Sequence, residues 1–507
     1  MAQLPNMTMS RLIGKIPAEF TRKDLLKVIE DLEIRQINLH YTGFDGKLKE
    51  LKVPVNSIAY AELILAQGER IDGSSIFKGI IDTSSSDLYI LPVYKTAFLC
   101  PFEENTMGII CRFLDKNGEL APWAPENILA KAHRSLQEKT GLSFNVLAEL
   151  EFYIIYEQQN HLFKGITQRG YHQSAPFIKQ KDILAEMLDI ISDLTASVKY
   201  AHSEVGFIDS LRSTNLEISG KRCEQYEIEF LPRPIEDMAD YVSIAKWVIR
   251  NVAHRHGVTA TFTPKLEEGM AGTGLHFHME LLKNGKNCMT AANGGLSDEA
   301  KKLISGLCGH AKSMTAFGNS VSSAYLRLVH HQEAPTTICW SEQNRAALIR
   351  VPLGWTHEID MAKLVNPTEQ ESYPPSKGER QTIEIRSPDG SAHVNLLLTA
   401  LTMVAEEGLT DKNALERAQK LYARKGDPEA YTKFEALPSS CAESADELKK
   451  DRKFYEDRGM PVTMIDTVVK DLLSEDDRDI NERYSHMTAD MRLKATREIM
   501  HKDLHKH

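Results

Sequence analysis

The chain has no CxxC pair, and its seven cysteines, at positions 100, 111, 223, 288, 308, 339 and 441, are odd in number and widely scattered. That pattern excludes a zinc knuckle and argues against a disulfide framework, so a reducing, cytoplasmic setting is expected. Basic residues are not in excess: 61 Lys and Arg face 71 Asp and Glu, for a formal net charge of −10. A chain of this charge is not built to hold nucleic acid. No apolar run approaches a membrane span, and the opening MAQLPNMTMSRLIGKIP lacks the apolar stretch of a signal peptide, so no membrane partner is expected. The phosphate-loop pattern GxxxxGK[ST] and the serine elbow GxSxG are both missing, and GMAGTG does not open a helix as a dinucleotide fingerprint must. Internal repeats and low-complexity tracts are also absent.

What is present is a 507-residue chain of ordinary globular composition, 42% hydrophobic and 26% charged. Residues 21–32 read as an amphipathic helix behind a threonine cap, and two strands then meet at Asp45-Gly46, a strong hairpin turn. A short helix, the loop RIDGSSIFKG and two more strands follow. Together they make a small α+β unit over residues 1–105. Residues 106–507 mix clear helical periodicity, in PENILAKAHRSLQEKTG, KDILAEMLDIISDLTASV, IEDMADYVSIAKWVIRNVAHRHG and SDEAKKLISGLCGHAKSMTAFG, with short strands. Helices on one side of a sheet give a two-layer α+β plan. The stretch 409–507 reads as helical and highly charged, and its end, HKDLHKH, as a solvated, frayed terminus.

Four strand-like segments carry charge at every second residue: Glu149 and Glu151, Glu227 and Glu229, His276 and His278, Glu384 and Arg386. Residues i and i+2 share a face of a strand, so each segment has one apolar and one charged side. One such pair is an ordinary solvated sheet face. Four together point to one sheet with a charged concave face. Clustered carboxylates repel one another unless a cation holds them, and an oxygen-rich set suits magnesium or manganese better than zinc. Glu204 and Glu333 add carboxylates, and Arg327, Arg345, Arg350 and Arg386 add groups that bind carboxylates and phosphates. Cation sites beside arginines, with no evident nucleophile, indicate phosphoryl transfer. The glycines of AGTGLHFH allow a ligand to approach the backbone, and Asp72 reads as a turn aspartate.

The segments IDGSSIFKG, AELEFYI, EQYEIEF, TFTPKLEEGMAGTGLHFHMEL, LRLVHHQEAP, SEQNRAALIRVP and TIEIRSPDG resemble, in order, the signature segments of the type I glutamine synthetase family. The resemblance implies a small N-terminal β-grasp domain (1–105) and a large catalytic domain (106–507) with a curved antiparallel sheet backed by helices, a glutamine synthetase/guanido kinase-like fold. It implies two or three Mg2+ or Mn2+ ions per site, ATP as co-substrate, and glutamate and ammonium as the other substrates. It also implies a homo-oligomer, a dodecamer of two hexameric rings with active sites between subunits. By position, Glu151, Glu204 and Glu227 match the ligands of one metal, and Glu149, His276 and Glu384 those of the other. His278, Arg345 and Arg350 match residues at the ATP phosphates. Arg327, Arg386 and Gly272 match residues that hold glutamate. Glu333 matches a flap glutamate, Asp72 (with Ser75 nearby) the ammonium-binding aspartate of the adjacent subunit, and Tyr171 a tyrosine lining the ammonium pocket.

Four features depart from the family pattern. Longer segments lie between Glu204 and Glu227 (FIDSLRSTNLEISGKRC) and between Arg350 and Glu384 (GWTHEIDMAKLVNPTEQESYPPSKGERQ). Ala271 stands where the family usually has an asparagine, and His330-His331 replaces a usual Pro-Gly. The expected activity is therefore an ATP-dependent glutamate–ammonia ligase working through a γ-glutamyl phosphate. The alternative is a γ-glutamyl-amine ligase that uses another amine. No segment matches the adenylylated tyrosine stretch of some bacterial members.

Overall fold

Thr21 opens the helix α1 (Arg22–Asp31) of the small unit through a reciprocal cap: its hydroxyl accepts from the Asp24 N–H at 3.3 Å, and its own N–H donates to the Asp24 carboxylate at 2.8 Å. The structure, a computed structural model, describes residues 9–158, 162–329, 332–354, 359–373, 378–424 and 432–507. Strands β1 (Gln36–Thr42) and β2 (Leu48–Pro54) form the expected hairpin, with Gly46 at φ 74° in its turn. Helix α2 (Ile58–Gln67), β3 (Glu69–Asp72), β4 (Asp87–Pro92), β5 (Phe98–Leu99) and β6 (Thr106–Leu114) complete the unit. Where a loop was expected, Asp72 ends β3 and caps a helical turn, Gly73–Ile76.

β6 is the centre of this sheet: it runs parallel to β1 and antiparallel to β4 and β5. The small unit therefore reaches Leu114, and the expected boundary at residue 105 falls one strand too early. The run TMGIICRFL is buried and apolar, so its pattern suits either unit, and only its pairing assigns it.

The large sheet has ten strands among the described residues. They are β7 (Ser143–Tyr156), β8 (Val198–Ile208), β9 (Arg222–Phe230), β10 (Arg233–Pro234), β11 (Thr259–Thr261), β12 (Leu275–Lys283), β13 (Lys286–Asn287), β14 (Trp340–Glu342), β15 (Ile349–Val351) and β16 (Ile383–Ile385). The main order is β14-β15-β16-β12-β7-β9-β8, antiparallel except where β14 meets β15. Ala148, Leu150, Phe152 and Ile154 of β7 and Leu275, Phe277 and Met279 of β12 share one fully buried cluster with helices α3 (Pro125–Thr140), α4 (Lys181–Thr195) and α5 (Ile235–Arg255). The alternate residues of these strands are left for the opposite face.

The expected single helix over 297–318 is two, α6 (Asp298–Gly309) and Ala311–Gly318. The break falls at His310, whose ring stacks on Phe454 at 3.8 Å and bonds Asp451 at 2.7 Å. Helices α7 (Val394–Thr410), α8 (Cys441–Glu456), α9 (Val462–Ser474) and α10 (Ala489–Lys502) follow. The HKDLHKH end is docked rather than frayed: Leu504 is 4% exposed, its carbonyl accepts from Thr261 at 2.8 Å, and His501 is buried. Leu504 supplies an apolar group to a cluster with Tyr153, Ile155, Leu211 and Ile218, which a polar tail would lack. Among the described residues no helix is long and apolar enough to cross a membrane.

The two units are joined by a shielded ion pair, Arg112 of β6 with Asp240 of α5 at 2.6 Å, and by a more exposed one, Lys95 with Asp237, also at 2.6 Å. Removing one partner of a buried pair strands the other charge. Asp240→Ala is expected to lower stability by about 3 kcal/mol, whereas Lys95→Ala lowers it by less than about 1 kcal/mol. Denaturant unfolding of the two variants measures the difference.

Candidate active site

Register builds the charged face. Across the antiparallel ladders, His202 of β8 lies opposite Glu227 of β9, which lies opposite Glu151 of β7. Glu149 faces His276, and Glu384 is flanked by His278 on β12 and Arg350 on β15. Directly opposed side chains on adjacent strands are neighbours, so the i, i+2 pairs read from sequence become one two-dimensional patch. Glu229 leaves it, bonding Lys199 at 2.6 Å.

Burial decides the electrostatics of this patch. Burial and then the nearby Glu151 push the Glu204 carboxyl up to about 8. Burial, with Glu149, Glu151 and Glu204 adding to it, raises Glu227 well above the ordinary range. Glu149 goes the other way: burial opposes its charge, but the imidazoles of His278 and His276, at 2.8 and 3.0 Å, hold it ionised. Glu384 is fully buried, yet His278 and Arg386 keep it below its usual value, and Arg350 bonds it at 2.7 Å. Among the described residues, three groups bring carboxylate and imidazole ligand atoms within 4.8 Å of one another: Glu149, Glu227 and His276; Glu149, His278 and Glu384; His202, Glu204 and Glu227. Carboxylates that cannot all ionise unaided, set among imidazoles, fit divalent cations.

The groupings differ from the expected partition. Glu151 belongs to none of the three; it accepts from Gln225 Nε2 at 2.9 Å and from the Gly274 N–H at 2.8 Å. His278, expected at the ATP phosphates, lies inside the carboxylate cluster, with Nδ1 3.1 Å from the Thr382 hydroxyl.

Beside the patch is a cavity of about 260 Å³, lined among others by Glu151, Lys265, Ala271, Gly272, His276, Arg327, Glu333 and Arg386. Arg327 is 5% exposed and donates to the Ser387 carbonyl at 2.8 Å, to the Arg386 carbonyl at 3.2 Å and to His276 Nε2 at 3.2 Å. That last bond makes Nε2 the acceptor, so the His276 proton sits on Nδ1, facing Glu149. Lys265 is 1% exposed; burial and then Arg327 push its ammonium down to about 8, and it donates to Gln332 at 2.7 Å and to the Met270 carbonyl. A methyl on Gly272 would lie 2.7 Å from Arg327 Cγ and 2.9 Å from the Pro264 carbonyl, so only glycine lets this backbone approach the arginine. The loop is held from outside: Arg497 of α10 clamps Glu267 at 2.8 and 2.9 Å, and His501 bridges the Leu266 carbonyl (2.8 Å) and Ser213 of the first long segment (2.9 Å).

Of the remaining expected residues, Tyr171 borders the patch at His202 and Arg345 stands beside Tyr171. Tyr171 is half exposed, 5.9 Å from the exposed Arg345 guanidinium and edge-on to His202 at 5.4 Å. Asp72 does not line the cavity of its own chain; its carboxylate accepts from Ser74 and Ser75, which hold it down to about 2. His330-His331 and parts of the second long segment lie outside the described residues. Sequence reasoning missed His202, Gln225 and Lys265. His202 had the same signal as the others, since it sits two residues before Glu204 on one strand. Gln225 had it too, two residues before Glu227 on β9, whereas nothing local marks Lys265.

The chain matches two family models: "Glutamine synthetase, catalytic domain" over residues 123–471 and "Glutamine synthetase, beta-Grasp domain" over residues 33–116. It is 29% identical over 475 residues to a glutamine synthetase of Methylococcus capsulatus, covering 86% of this chain and 91% of the relative. To that of Escherichia coli it is 29% identical over 491 residues, covering 90% and 96%. Among solved structures it superposes on Plasmodium falciparum glutamine synthetase with TM-score 0.70 at 22% identity, covering 93% and 98% of the two chains. With GmaS in complex with ADP the TM-score is also 0.70, at 19% identity, covering 92% and 98%. A β-grasp unit followed by a carboxylate-lined sheet, matched over both parts, places this chain in the glutamine synthetase family.

Proposed function

We propose that the protein is an ATP-dependent carbon–nitrogen ligase that joins an amine, ammonia in the first instance, to the side-chain carboxylate of glutamate. The observation that carries this reading is a small cavity with three buried cationic side chains, Arg327, Arg386 and Lys265, beside a sheet face of paired carboxylates and imidazoles. The cations suit the two carboxylates of an acidic amino acid. Glu149, Glu204, Glu227, Glu384, His202, His276 and His278 would hold divalent metal, which neutralises phosphate charge during phosphoryl transfer.

In the first half-reaction a carboxylate oxygen of glutamate attacks the γ-phosphorus of ATP, the bond to the β-phosphate oxygen breaks, and ADP leaves. Arg345 and Arg350 are the guanidiniums assigned to the phosphates. In the second, the amine attacks the acyl carbon, inorganic phosphate leaves, and the surplus proton passes to a carboxylate. Asp72, held ionised by its serine bonds, is assigned that proton and the binding of ammonium. Because it does not line its own chain's cavity, it is assigned to the site of a neighbouring copy, in a ring-shaped homo-oligomer. Glu333 borders the cavity and Lys265 holds the adjacent Gln332, so Glu333 is the residue assigned to shield the acyl phosphate from water.

A second reading, ligation of a larger amine, is favoured by Ala271. It lines the cavity with a methyl group, and its backbone is fixed by the Tyr153 hydroxyl at 2.9 Å. ADP release with magnesium, ATP and glutamate, with ammonium or each of a panel of amines, separates the two. Ammonium-dependent turnover yielding glutamine supports the first; response only to another amine supports the second; no turnover with any amine overturns both.

Two expectations follow from the site itself. Asp72→Ala is expected to lower kcat/KM for the amine by about 100-fold while leaving ADP affinity unchanged, as steady-state kinetics and calorimetric titration would show. In chelator, Glu227→Gln removes a crowded, buried carboxylate and is expected to raise the thermal midpoint. The same change should abolish most of the stabilisation by Mg2+, which for the unaltered protein reaches about 2.7 kcal/mol at a hundredfold excess over Kd.

A further inference from the structure

One buried side chain, that of Gln225, joins the carboxylate face to the cavity beside it. Gln225 is 2% exposed and stands on β9, two residues before Glu227. Its Nε2 donates to Glu151 Oε2 and to the Gly272 carbonyl, both at 2.9 Å, and its Oε1 accepts from the Gly206 N–H at 3.1 Å. Turning the amide over would set its oxygen against two oxygens and its NH2 against an N–H, so the three partners fix its orientation.

Each bond ends at a different part of the site. β8 loses its regular register with β9 between Ser203 and Phe207, and the irregular stretch carries Glu204. There the Gly206 N–H donates to Gln225, so this side chain helps to place Glu204 two residues away. A methyl on Gly206 would collide with Gln225 Oε1 and with the Tyr153 hydroxyl, so the junction is closely packed. At Glu151 the Gln225 amide and the Gly274 N–H both bond Oε2, while Oε1 lies 4.0 Å from His276 Nδ1. Carboxylates at cation sites are commonly oriented by outer bonds of this kind. Gly272, the third partner, lines the cavity and packs on Arg327.

We propose that Gln225 is a positioning residue that couples the two halves of the site, so that a divalent cation held by Glu204 and Glu227 tightens the binding of an acidic amino acid beside Gly272 and Arg327. The ligand atoms of Glu204 and Glu227 lie within 4.8 Å of each other on the strands that Gln225 bridges. A cation shared by them constrains both strands, and the Gln225 amide passes that constraint to the Gly272 carbonyl. The other link between face and cavity, Arg327 to His276, is one bond of 3.2 Å between side chains, whereas Gln225 holds the backbone of two segments. The inference rests on the ligase reading for the identity of the two ligands.

The test is calorimetric titration of the full-length protein, in its native assembly, with L-glutamate, once in saturating Mg2+ and once in chelator. The readout is the ratio of the two dissociation constants. In the unaltered protein Mg2+ is expected to tighten glutamate about tenfold, and in Gln225→Met by less than about threefold. Gln225→Asn, polar but one methylene too short to reach every partner, should behave as the Met variant does, and it serves if that variant does not fold. A merely structural role would weaken glutamate under both conditions and leave the ratio in place. Asp240→Ala, which loosens the joint between the units, should keep the full ratio. A ratio retained in both Gln225 variants, a ratio lost in Asp240→Ala as well, or a glutamate affinity of the unaltered protein that ignores Mg2+ would each overturn the proposal. Glutamate binding under neither condition would overturn the ligase reading and this proposal with it. Glutamate binding whose Mg2+ dependence survives the loss of Gln225 would overturn this proposal alone.

Discussion

Mutual repulsion among buried carboxylates is the constraint around which this molecule is arranged. Glu149, Glu151, Glu204, Glu227 and Glu384 crowd one face of a sheet whose other face is sealed by helices, with Glu227 and Glu384 buried and the other three partly shielded. The protein answers with imidazoles for Glu149, with arginines for Glu384, and with a glutamine and a backbone N–H for Glu151. Glu204 and Glu227 share the single imidazole of His202, 3.1 Å from Glu227, and Glu204 accepts from the Val205 N–H at 3.1 Å, yet burial and the neighbouring carboxylates displace both upward. The face is therefore only partly neutralised by its own residues, which suits the divalent cation proposed for it. That distribution separates a reactive surface from a structural ion-pair network, in which every charge would be answered.

The small unit is held to the large one by Arg112 and Asp240, and this contact does more than add stability. It fixes the position of Asp72, which sits at the end of a strand in the same sheet as Arg112. The role proposed for Asp72 in a neighbouring copy requires a carboxylate presented outward at a set height and angle. The cap that Asp72 makes on its own helical turn gives that presentation without a tie to its own cavity.

Much of the site was legible because strands translate sequence into position simply. Alternation placed Glu149, Glu151, Glu227, His276 and Glu384 on one face, and pairing then brought them together. His202 carries the same alternation with Glu204 on β8, and Gln225 with Glu227 on β9. Lys265 was not legible: a lysine in TFTPKLEEG looks solvated, and only the fold buries it. The extent of the small unit was misjudged for a related reason, since an apolar strand carries no mark of the sheet it will join. The docking of HKDLHKH depended on one leucine amid six polar residues, a signal too small to outweigh its surroundings.

The loop over the cavity lined by Arg327 and Lys265 has little freedom to evolve. Gly272 and Gly274 leave no room for a side chain, Arg497 and His501 anchor the stretch before them, and the Met270 and Ala271 carbonyls are engaged by Lys265 and Tyr153. What is left open is the side chain of Ala271, whose contribution to the loop's framework comes through its backbone. A lineage under selection for a new substrate could thus alter the cavity's size and polarity at a single codon while the surrounding scaffold, and the phosphoryl chemistry it supports, stayed as it was.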